Sequence, residues 1–125
     1  MLELNGIQLD FDITSPSDVM RYQQAGERME TEGAALTYPT MAPEDPAFLG
    51  AYVEMLNGQL RIFGNFIDEV FGDGVARQLL GGNPSLSKVI QINDALESAL
   101  EQQGKEFGVR LRKYKPNRAT RRRKQ

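Results

Sequence analysis

Residues 45–74 read DPAFLGAYVEMLNGQLRIFGNFIDEVFGDG, and this stretch decides the fold. Asp45-Pro46 has the form of a helix start, a cap followed by proline. Phe48, Leu49, Tyr52, Val53, Leu56, Leu60, Phe63, Ile67, Val70 and Phe71 then follow in steps of three and four. That spacing lays one broad apolar face along a single long helix, predicted over about 46–71. Gly50, Gly58 and Gly64 sit inside it. They either admit a close neighbour or mark a bend near Gly58. Gly72-Asp73-Gly74 ends the helix, leaving Asp73 or Gly74 to cap a short helix over about 74–80.

Outward from this element the chain stays mainly helical. Ser15-Pro16-Ser17-Asp18 opens a helix over about 16–32, burying Val19, Met20, Tyr22, Ala25 and Met29, with Gly33 as its stop. Residues 33–46 hold three prolines and read as a long loop, mobile or available for contact. Asn83-Pro84 opens the last helix, about 84–106, with Leu86, Val89, Ile90, Leu96, Leu100 and Phe107 on its apolar side and Asn93 interrupting it. At the N-terminus, Ile7, Leu9, Phe11 and Ile13 alternate with polar residues, and Asn5-Gly6 favours a tight hairpin turn. A short β-hairpin is predicted near 2–12. It must pack on helices, because two strands alone are marginal in water.

Composition narrows the chemistry. The 125 residues include no Cys and no His, which removes thiolate nucleophiles, disulfides and the usual general base and metal ligand. Gly72-Asp73-Gly74 follows a helix, not a strand, and lacks the third glycine of a dinucleotide turn. Neighbouring acids such as Glu44 and Asp45, or Asp68, Glu69 and Asp73, read as solvated surface carboxylates. The sequence therefore predicts no catalytic, metal or cofactor site. Phe71, Gly72, Asp73 and Gly74 read as a structural joint.

Charge is segregated. The formal net charge is −2, yet residues 110–125 carry nine cations and no acid, leaving six basic and seventeen acidic residues before them. These cations are Arg110, Arg112, Lys113, Lys115, Arg118, Arg121, Arg122, Arg123 and Lys124. The reading is an acidic helical domain over 1–108 and a basic, flexible arm over 109–125. The arm suits nucleic acid, or an acidic protein surface that includes its own body or a neighbouring copy. The helix over 84–106 offers few basic side chains for a DNA groove, which disfavours nucleic acid. No stretch is apolar enough to span a membrane, and the first residues lack the charge pattern of an export signal.

Phe66–Asn83, FIDEVFGDGVARQLLGGN, resembles the F-x-D-x-V-F-G-x-G-x-x-x-x-L-x-G joint of one group of tail assembly chaperones from long-tailed bacteriophages. The short N-terminal stretch LNGIQLDFDI, the long central helix and the basic end NRATRRRKQ are similar to the same family. The resemblance implies a non-enzymatic protein of the host bacterial cytoplasm, absent from the mature virion. Its partner would be the tape measure protein, kept soluble while tail-tube subunits polymerise around it. The major tail tube protein would be a further partner, and self-association into a homo-oligomer is implied too. The alternatives are a small nucleic-acid-binding protein using its arm and a structural tail completion protein.

Overall fold

The computed structural model describes residues 1–116. It is mainly helical with a small N-terminal hairpin. Strand β1 (Leu2–Leu4) pairs antiparallel with β2 (Ile7–Leu9), Leu2 opposite Leu9 and Leu4 opposite Ile7. Asn5 and Gly6 make the turn at φ 53° and 80°, the left-handed pair that a tight hairpin requires. The strands are shorter than the alternating pattern suggested. The Phe11 amide donates to the Leu9 carbonyl at 3.1 Å, which folds the chain out of the ladder. Phe11 and Ile13 are still buried, so the alternation reports burial beyond the last strand pair.

Helix α1 (Pro16–Ala34) starts as read: Ser15 Oγ accepts from the Asp18 amide at 3.3 Å. It runs past Gly33, which is buried within the helix, and the expected stop there is corrected. Met20 points to solvent, against expectation, because the core lies on the Tyr22, Ala25 and Met29 side. Helix α2 (Phe48–Phe71) begins two residues later than read; Asp45 Oδ1 accepts from the Ala47 amide in the turn before it. After α3 (Val75–Leu80) comes α4 (Leu86–Lys105), capped by Ser85 and not by Asn83. Ser85 Oγ accepts from the Lys88 amide, while the Lys88 ammonium donates to the Asn83 and Leu80 carbonyls. Phe107, expected on the apolar side, lies beyond the helix end and is 54% exposed.

The hairpin packs on α4, and α1 packs along the second half of α2. Phe11, Phe63, Ile67, Val70, Val89, Ile92 and Leu96 form the centre. The buried face of α2 is Met55, Gln59, Ile62, Phe63, Phe66, Ile67 and Val70, so the expected burial of Leu56 and Leu60 is corrected: both are only half-buried. The rotation has a cause distant in sequence. The loop after α1 folds back on α2, setting Leu36 over Gly58, where a Cβ would fall 2.6 Å from Leu36 Cδ1. Tyr38 accepts a hydrogen bond from Gln59 Nε2 at 3.2 Å. Gly58 thus admits a side chain of the loop, and α2 continues through it.

Candidate partner-binding surfaces

Leu49, Val53, Leu56, Leu60, Phe63, Ile67 and Val70 make one seam of alternating four- and three-residue steps along α2. Its lower half lies in the core. Its upper half does not: Leu49 is 70% exposed and Val53 51%. Tyr52 is exposed beside them, its ring stacked on Phe48 at 5.7 Å and 11° between planes. Between Phe48 and Leu60 the only formal charge is Glu54. A contiguous apolar patch with so little charge is the signature of a surface that meets another molecule.

At the other end of α2, Gly72 and Gly74 have φ of 122° and 89°. The Gly72 amide still donates to the Asp68 carbonyl at 2.9 Å, and Phe71 sets its ring edge-on to Phe11 at 5.8 Å. Sequence reasoning missed Asp68. Gly74, one of the two expected caps, takes the N-cap position of α3, while Asp68 Oδ1 accepts from the Ala76 amide at 2.9 Å in the first turn. Asp73 is exposed. The joint places backbone and rings; among the described residues no group of three or more His, Cys, Asp or Glu could hold a metal.

The arm departs most from expectation. Residues 109–116 lie against the body as an extended strap between α1 and α4. Tyr114 is 4% exposed and meets Tyr22 edge-on at 5.2 Å. Tyr22 donates its hydroxyl proton to the Arg112 carbonyl at 2.7 Å. Arg112 pairs with Glu30 of α1 at 3.1 Å, and its guanidinium stacks over the Tyr114 ring at 4.5 Å. Lys113 pairs with Glu101 of α4 at 3.4 Å, and Lys115 with Glu97 at 2.6 Å. Arg112 and Tyr114 therefore face α1 while Lys113 and Lys115 face α4, the alternation of an extended chain.

The register has a simple origin. Glu97 and Glu101 are one helical turn apart, about 6 Å. Lys113 and Lys115 are two extended residues apart, about 6.7 Å. The strap begins where the Val109 amide bonds to the Gly104 carbonyl at 3.0 Å, with Gly108 at φ 65°. Pro116, the last described residue, is buried in a small cleft with Met29, Gly33 and Gln59. Glu97 also accepts from Asn93 Nδ2 at 3.2 Å, tying the strap to a polar group that is 1% exposed. That buried Asn93 is the interruption seen in the pattern of the last helix.

Of the expected partner-binding cations, Arg112, Lys113 and Lys115 are thus engaged with carboxylates of their own body. Arg110 is exposed, with no ion pair among the described residues. Arg118, Arg121, Arg122, Arg123 and Lys124 lie outside the described residues. The expectation of a flexible arm beginning at 109 is corrected for 109–116. The sequence hid the reason, because Tyr114 is a lone aromatic among cations and shows no periodicity.

Fold and surfaces together define a small helical protein with an apolar half-helix at one end and a strap clasping its body. No helix of the described residues is long and apolar enough to cross a membrane. The chain belongs to a family of unknown function (DUF6673), whose model matches residues 5–125. No curated protein and no solved structure matches it.

Proposed function

We propose that the protein is a phage tail assembly chaperone that binds the tape measure protein through the exposed half of α2 and keeps it soluble while the tail tube polymerises. One observation carries this reading: the seam of α2 runs unbroken out of the core onto a surface where Leu49 and Val53 are more than half exposed. A helix face with apolar residues at such steps is what another amphipathic helix lays itself against. The tape measure of a long tail is an extended helical protein that offers many such faces. The resemblance of Phe66–Asn83 to the joint of that chaperone family supports the same assignment. On this reading the protein does no catalysis, acts in the host cytoplasm and leaves before the particle is complete.

The test is co-expression of the tape measure protein from the same phage with the wild-type chain or with L49S/V53S. Wild type should raise the soluble fraction of the tape measure, and the double variant should lose that effect while remaining folded. Equal solubilisation by both proteins would overturn the role of the α2 seam. Recovery of the chain in purified particles would favour a structural tail completion protein.

A further inference from the structure

We infer that the groove between α1 and α4 is an exchange site: it accepts the 109–116 strap of a second copy in place of its own. The complementarity is written into every chain. Each copy carries both the seat, formed by Tyr22, Gly26, Glu30, Glu97 and Glu101, and the segment that fits it. A second copy is therefore the occupant whose chemistry the groove already matches, cation for carboxylate and ring for glycine.

Four features favour exchange over permanent closure. First, the strap's cations are 41–61% exposed, so water screens their ion pairs and those to Glu30 and Glu101 are weak. Second, beyond Val109 the strap makes no backbone–backbone hydrogen bond among the described residues, and the bond its Arg112 carbonyl accepts comes from a side chain, the Tyr22 hydroxyl. Third, the segment hangs on a short glycine hinge at Gly108, φ 65°. Straightening that hinge lets α4 continue, replacing the bonds from the Phe107 and Val109 amides to Gly104 with helical ones. Fourth, Phe107 and Val109, at the hinge itself, are 54% and 40% exposed, so apolar surface is left in water there in the closed form. Open grooves of about 820 and 640 Å³ border the strap on its two sides, so a second segment can approach before the first has left. Exchange of an identical element is a low-cost route to association, because every contact already exists in the monomer. The hinge geometry, not a new surface, sets its cost.

The absence of Cys makes the test clean. Full-length E101C and K113C, each carrying one thiol, are mixed over a wide range of concentration and treated with a short bis-maleimide. The control mixes K113C with S87C, since Ser87 lies on the same helix about 21 Å from Glu101. Exchange predicts that the E101C–K113C heterodimer forms about tenfold or more above the control pair, because a seated strap holds its thiol at a high effective concentration. The yield should rise with protein concentration. The pair E30C with R112C reads the opposite wall and should behave alike, which guards against one variant folding poorly. Control-level yields for both pairs at every concentration, with the double variant E101C/K113C linking only within one chain, would overturn the proposal.

Discussion

Gly26 and Tyr114 form a seat and its occupant. A Cβ on Gly26 would lie 2.3 Å from the Tyr114 ring atoms Cγ and Cδ2, so no other residue leaves the ring where it sits. In a helix, replacing Gly by Ala ordinarily stabilises by about 1 kcal/mol. Here the sign should reverse. Gly26→Ala should destabilise by about 1–3 kcal/mol through overpacking. In the Tyr114→Ala background the same change should stabilise by about 0.5–1 kcal/mol, as an unobstructed helix would. Urea denaturation of the four proteins of this cycle measures both numbers.

Tyr22 gives the strap a pH signature. Burial pushes its phenol well above the ordinary value of 10.0. Above about pH 10 the folded chain keeps a proton that the unfolded chain has released, so stability is intact below that pH and falls as pH rises further. The thermal midpoint should drop above pH 10 in wild type, with a shallower drop in Tyr22→Phe. Ultraviolet titration should lose, in Tyr22→Phe, a tyrosine component that in wild type keeps its proton until unfolding.

The two halves of the α2 seam should respond very unequally to truncation. Phe63, fully buried, should lose about 3–5 kcal/mol on Phe63→Ala. Leu49→Ala and Val53→Ala should each change stability by no more than about 0.5 kcal/mol, since neither side chain fills a cavity. Chemical denaturation of the three variants checks this. A large loss at Leu49 would show that the upper half is covered in the free protein.

At the joint, Gly72→Val and Gly74→Val place a β-branched residue at φ of 122° and 89°. Each should cost about 1–3 kcal/mol in backbone strain. A midpoint shift below that range in both would detach the motif from the backbone geometry described here.

The helices were legible because their signals are local. Ser15-Pro16 and the apolar steps of α2 act within one or two turns, and the Asn5-Gly6 hairpin follows from two dihedrals. What could not be read was set by contacts distant in sequence. The buried side of α2 is rotated toward Met55 and Gln59 because Leu36 and Tyr38 return to cover it, and no periodicity reports where a loop lies down. The strap is the same case over a greater distance. Charge composition alone made 109–116 a solvated arm, whereas one ring over Gly26 and carboxylates at Glu30, Glu97 and Glu101 bind it to the body. Asp68 was missed because its role requires the Gly72–Gly74 turn to bring the Ala76 amide back onto it.

On the proposed function, the exposed half of α2 is where a helical partner binds. Hydrogen–deuterium exchange of the full chain, alone and bound to the tape measure protein, tests it most directly. Binding should slow exchange most strongly over residues 48–57, with little change at the 72–74 joint. Protection confined to other segments, with 48–57 exchanging as in the unbound chain, would contradict it.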